Sequence, residues 1–128
     1  MEKLELIGHQ LNEVLNIPYR LGQWNSDVKY PYSVGEITEE APTTEDGYEA
    51  STLLLTVFHR GDEALLELEE VKEKIKKHFS PIYGLRAATE SGTIVIYYDG
   101  SFYVPTGEAD LKKIQINLSI NEWKGAVE

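Results

Sequence analysis

Asp62-Glu63-Ala64-Leu65-Leu66-Glu67-Leu68-Glu69-Glu70-Val71-Lys72-Glu73-Lys74-Ile75-Lys76-Lys77-His78-Phe79 is the stretch on which the fold turns. Ala64, Leu68, Val71, Ile75 and Phe79 recur at the spacing of one helix face, with Leu65 beside them, so 62–79 reads as an amphipathic helix. Asp62 follows Gly61 and is placed to cap the first turn through its carboxylate. Glu63, Glu67, Glu69 and Glu70 lead, while Lys72, Lys74, Lys76 and Lys77 follow, which suits the helix dipole. Glu70–Lys74 and Glu73–Lys77 add pairs worth about 0.3 kcal/mol each. The charge run is a solvated helix face, and Pro81 stops it.

Upstream, 48–59 reads as a strand. Leu53, Leu55 and Val57 point one way and Leu54, Thr56 and Phe58 the other, the pattern of a central strand covered on both faces. Before it come a turn-rich loop, Ala41-Pro42-Thr43-Thr44-Glu45-Asp46-Gly47, and an extended segment from Pro31 with Tyr32, Val34 and Ile37. The loop has four acids over 39–48 and Ala41 as its one aliphatic anchor, so mobility is expected there. Residues 19–30 are irregular and carry Trp24. At the start, Leu4, Ile7, Leu11 and Val14, widened by Leu15, predict a helix over 3–15 that ends before Pro18.

Downstream lies Thr93-Ile94-Val95-Ile96-Tyr97-Tyr98-Asp99-Gly100-Ser101-Phe102-Tyr103-Val104. Asp-Gly between two β-rich runs predicts a hairpin with a two-residue turn. That turn pairs Tyr97 with Phe102 and Val95 with Val104 on one face, leaving Ile94, Ile96, Tyr98 and Tyr103 on the other. Both faces are apolar. One helix layer covers only one of them, so Tyr97 with Phe102, or Ile96 with Tyr103, is the candidate oligomer interface. In 113–123, Ile114, Ile116, Leu118 and Ile120 alternate with Gln115, Asn117, Ser119 and Asn121, giving a strand with one dry and one wet face. The order is helix, two strands, helix, three strands. It predicts an α+β two-layer sandwich: a mainly antiparallel sheet with two helices packed on one face, as a single domain over 1–128.

The chain has 128 residues, enough for one core without staples, and no cysteine, which excludes disulfides and thiolate chemistry. No apolar run reaches the roughly 20 residues of a membrane span, and Met1-Glu2-Lys3-Leu4-Glu5 lacks the features of a signal peptide. Synthesis and folding in the cytoplasm are expected. The net charge of −10, with no Lys or Arg between Tyr30 and His59, argues against tight nucleic-acid binding. Glu36, Glu39, Glu40, Glu45, Asp46 and Glu49 crowd that interval and form a candidate acidic surface toward a lumen or partner.

His9, His59 and His78 share no ligand spacing, and neither a nucleophile elbow, a P-loop nor a dinucleotide-binding glycine pattern is present. The paired carboxylates Glu39-Glu40 and Glu45-Asp46 lack the oxygen spacing of a calcium loop. Catalytic, cofactor and metal residues are therefore assigned as none, and the chain reads as not an enzyme. Of eight tyrosines, two tryptophans and three phenylalanines, Tyr19, Trp24, Tyr30, Tyr32, Tyr83, Tyr97, Phe102 and Tyr103 exceed what two short helices and a small sheet need to bury, which favours protein interfaces.

The layout as a whole carries a resemblance. An N-terminal helix leads to Tyr30-Pro31-Tyr32-Ser33-Val34. Then come a strand through Thr52-Leu53-Leu54-Leu55-Thr56-Val57-Phe58, the 62–79 helix, and a late amphipathic strand. In this order the chain resembles the small tail-completion proteins of long-tailed bacteriophages and prophages, the tail terminator or tail-to-head joining group. The resemblance spans nearly the whole chain and rests on pattern and order. It implies a homohexameric ring that caps the tail tube, stops its growth and joins it to the head connector during virion assembly. It further implies assembly in the bacterial cytoplasm and a final place at the tail-head junction, with tail-tube and connector proteins as partners, no membrane and no cofactor. An acidic lining would let DNA pass without sticking. The competing class is a small acidic protein-binding module, such as an immunity or antitoxin-like inhibitor, whose acid-rich loops would suit a basic partner.

Overall fold

The computed structural model describes residues 3–22, 29–39, 48–89 and 92–124. The chain runs through α1 (Lys3–His9), a π turn (Gln10–Val14), β1 (Tyr19–Leu21), β2 (Tyr32–Glu39), β3 (Tyr48–Arg60), α2 (Ala64–His78), β4 (Leu85–Thr89), β5 (Gly92–Val104) and β6 (Leu111–Lys124). The six strands form one sheet in the order β1-β2-β3-β6-β5-β4. Expectation and fold agree on the α+β class. They part on the sandwich, because the sheet is curled and mixed: β1 runs parallel to β2 and every other pair is antiparallel. Strand twist accumulates over six strands, and a bulge in β5 adds to it.

The core lies between the helices and one face of the sheet. Leu6, Ile7, Leu11 and Leu15 from the first helical segment, and Leu68, Ile75 and Phe79 from α2, meet Leu53, Leu55, Val57, Ile94, Ile96, Ile114, Ile116, Leu118 and Ile120. The four β6 aliphatics are buried as their strict alternation requires, and Gln115, Asn117, Ser119 and Asn121 face the other way, half-buried. α2 keeps its predicted stripe, but it starts at Ala64 and Asp62 does not cap it. Instead the Gly61 N–H bonds the Asp110 carbonyl and the Ala64 N–H the Gly61 carbonyl, a turn that occupies the place of the cap. Neither predicted i,i+4 ion pair forms. Lys72 pairs with Glu69 at 2.8 Å, and Lys74 donates to the Leu15 carbonyl, tying α2 to the N-terminal segment. Leu65, placed beside the stripe, is half-exposed.

The 3–15 helix is split. After His9 the chain widens into a π turn, with the Leu15 N–H bonding the Gln10 carbonyl at 2.9 Å. The wider turn shifts the buried stripe by one residue. Leu15 goes in, while Val14 and Leu4, both on the predicted face, stay half-exposed. Asn12 then clamps the chain as it enters β1: its Oδ1 accepts from the Tyr19 N–H at 2.8 Å and its Nδ2 donates to the Tyr19 carbonyl at 3.2 Å. The Tyr19 ring lies over Gly35, where a Cβ would fall 2.5 Å from the phenolic oxygen, so only glycine fits.

The Asp99-Gly100 hairpin does not form. Residues 92–104 are one continuous strand, paired along their length with the 14-residue β6, which offers a partner past the point where a turn would fold back. Tyr98 pairs with Leu118 and Ser101 with Ile116, so Asp99 and Gly100 together oppose Asn117 in a bulge. Gly100 has φ +119°, and Asp99 accepts from the Ser119 hydroxyl at 2.9 Å. A bulge changes side-chain parity just as the turn would have. Tyr97 and Phe102 therefore do share a face, as do Ile96 and Tyr103, although no two of them are cross-strand partners.

Candidate functional site

The face of the sheet away from the helices is built row by row from the registers. One row reads Tyr32, Phe58, Lys113, Val104; the next Val34, Thr56, Gln115, Phe102; a third Thr38, Thr52, Ser119, Tyr97. The first row is a stack. Tyr32 and Phe58 lie 5.0 Å apart, Tyr30 packs 5.4 Å from Tyr32, Lys113 sits 5.7 Å over Phe58 and Arg60 5.8 Å over Tyr30. Two cations thus close the ends of an aromatic row. Beside it is a depression of about 400 Å³, bounded by Tyr32, Val34, Glu36, Phe58, Lys113 and Gln115. Arg60 is held by Glu108 and Asp110 at 2.9 Å each, and its proton is bound more tightly than usual by Tyr30 first and the two carboxylates after.

Of the candidate interface residues, Ile96 is fully buried in the core, and Tyr103 lies on the helix face with its hydroxyl donating to Glu69. Burial, then Glu69, pushes the Tyr103 phenol up, while Lys72 first and Tyr103 second hold Glu69 below the usual carboxylate range. Tyr97, half-buried, and Phe102, 50% exposed, are the pair on the helix-free face. Among the candidate acids, Glu36 is exposed on that face. Glu39 pairs with Lys3 at 3.5 Å, and Glu49 is half-buried in β3 opposite Glu122. Glu40, Glu45, Asp46 and Trp24 lie outside the described residues, as does the loop expected to be mobile.

The three histidines stay apart. His9 is exposed. His59 is buried with Nε2 3.1 Å from Glu67, close enough for an ion pair but off the line of a hydrogen bond, and its Nδ1 has no partner among the described residues. His78 contacts Gln10 at 2.7 Å and meets Phe79 edge-on at 4.9 Å. Burial lowers its pKa, so the fold favours the neutral ring. The unfolded chain then binds the proton more readily. The resulting stability is present above the ordinary imidazole pKa of about 6.5 and is lost as pH falls through it toward the folded value. Thermal melts from pH 7.5 down to 5.5 are expected to show falling stability, and His78→Gln should flatten that slope. An unchanged slope would show that His78 does not carry it.

Among the described residues no three His, Asp or Glu side chains gather to hold a metal, and no helix is long and apolar enough to cross a membrane. No family model matches the chain, and no match is found among curated proteins. Sequence reading had no access to the Arg60–Glu108–Asp110 cluster, whose members are about 50 residues apart. Tyr83, one of the aromatics counted as surplus to the core, is 80% accessible, and beside it in the turn before β4 Ile82, which the sequence did not single out, is 75% accessible.

Proposed function

We propose that this chain is a structural protein of a phage or prophage tail, which forms a ring, caps the tail tube and joins it to the head connector. The observation that carries the reading is the amount of large apolar side chain left outside. Ile82, Tyr83, Leu66, Phe102, Leu4 and Leu21 are all between 46% and 80% exposed on a domain whose core is otherwise closed. What single chains avoid is contiguous apolar surface, and here Leu4 and Leu21 line one groove while Ile82 and Tyr83 adjoin in one turn. The element order adds to this: a helical segment, a strand through Phe58, α2 and a late amphipathic strand follow one another, the order that carries the resemblance to the tail-completion group. In this reading the partners are further copies of the chain, six to a ring, together with tail-tube and connector proteins. It acts without cofactor or membrane, in the host cytoplasm and then at the tail-head junction. In this reading Glu36 is the exposed acid on the helix-free face that repels DNA, Glu39 and Glu49 lie on the opposite face, and no tight DNA binding is expected.

The test is elongation of a purified tail-tube protein of a long-tailed phage, followed by electron microscopy. Substoichiometric addition of the chain is expected to stop tube growth and leave rings on tube ends. Unchanged tube lengths with no end-bound density would remove the tail assignment and favour an acidic inhibitor with a basic partner.

A further inference from the structure

The two edges of the sheet are stepped in opposite senses. At one edge β1 covers Ser33–Gly35, and among the described residues no strand lies beside 36–39 of β2. At the other, β4 covers β5 as far as Ile96, the Tyr98 N–H is taken by the Phe79 carbonyl, and among the described residues no strand lies beside 99–104. Following the registers across the sheet, Glu39 is level with Ser51, Ile120, Ile96 and Leu85, so the open end of β2 stands at the height of the turn before β4 and of its first residue, while 86–89 run on past Glu39. Likewise Leu21 is level with Gly35, Leu55, Ile116 and Ser101, so β1 stands at the height of the open end of β5. Set side by side in the same orientation, two sheets would interlock. The turn before β4, with Leu85, would enter one notch and β1 the other.

The side chains agree with the backbone. The notch beside 36–39 is an apolar groove of about 360 Å³ lined by Leu4, Leu21 and Ile37, with Lys3, Glu36 and Glu39 at its rim. Level with it on the other edge are Ile82 and Tyr83, the two most exposed large apolar residues described. The stretch 81–89 has no acid in a chain of net charge −10, and its one charge is the exposed Arg86. Arg86 is on the helix-free face, as is Glu36, so opposite charges come to the same side of the joint.

We propose that copies of this chain join head to tail by these edges: Ile82, Tyr83 and Leu85 of one copy seat in the Leu4–Leu21–Ile37 notch of the next, whose β1 lies beside 99–104 of the first. This names the surfaces of the ring proposed above and rests on that reading. Such an interface uses two different patches, and repeated it closes a ring when the rotation per copy allows. Two unpaired strand edges would also be removed from solvent.

The test uses two variants altered only at exposed positions, Leu4→Glu with Leu21→Glu, and Ile82→Glu with Tyr83→Glu. Each has one spoiled and one intact edge. Under the conditions in which the unaltered chain assembles, each variant alone is expected to be monomeric with an unchanged circular dichroism spectrum. Their equimolar mixture is expected to stop at a one-to-one dimer by native mass spectrometry. Rings from either variant alone, or a mixture that stays monomeric while the unaltered chain forms rings, would overturn the edge joint and leave the ring reading standing. An unaltered chain that never assembles would sink both.

Discussion

The Ile96→Glu variant is expected to be unfolded at room temperature. Ile96 has no exposed surface, faces the helices and pairs with Ile120 in the middle of the sheet. A carboxylate there would have no cation, no donor and no water, and burying an unpaired charge costs several kcal/mol of a total stability of about 5–15. Far-ultraviolet circular dichroism should show loss of the native spectrum, with no cooperative melt. A folded variant would mean that the β5 register, and with it the whole row from Glu39 to Leu85, is wrong.

Tyr97→Glu with Phe102→Glu is expected to do the opposite. Both side chains lie on the helix-free face, Tyr97 across from Ser119 and Phe102 across from Gln115, where a carboxylate reaches water. Surface substitutions of this kind usually change stability by about 0.5 kcal/mol or less, and a half-buried Tyr97 adds a modest loss. The melt should therefore stay cooperative while assembly is lost, because two new acids stand beside the open end of β5. If this pair unfolds the protein as Ile96→Glu does, the face is internal to one subunit and Tyr97 and Phe102 take no part in an interface.

These two outcomes trace back to what could be read from residues alone. β6 and α2 were legible because each has one face of uninterrupted aliphatics at a fixed period, and burial follows that period. The Asp99-Gly100 dipeptide was legible as a place needing positive φ, but a turn and a bulge make the same demand, and both put Tyr97 with Phe102. What separates them is the length of β6, a partner remote in sequence. β1 and β4 were missed for a related reason. Tyr19–Leu21 is three residues held by Asn12 and Ser33, and Leu85–Thr89 carries two alanines that favour no strand by themselves. Since these two short strands step the sheet's edges, the joint argued above could not be seen in the sequence at all. The π turn was hidden likewise, since the apolar spacing of Leu4, Ile7, Leu11 and Val14 fits an unbroken α-helix.

A ring requires that the chain assemble with itself. Light scattering coupled to size exclusion, across a wide concentration range with and without the tail-tube protein, measures this directly. The predicted result is a discrete closed oligomer of one stoichiometry, six copies in the present reading, that appears with concentration or on contact with the tube protein. A strict monomer under every condition would contradict it.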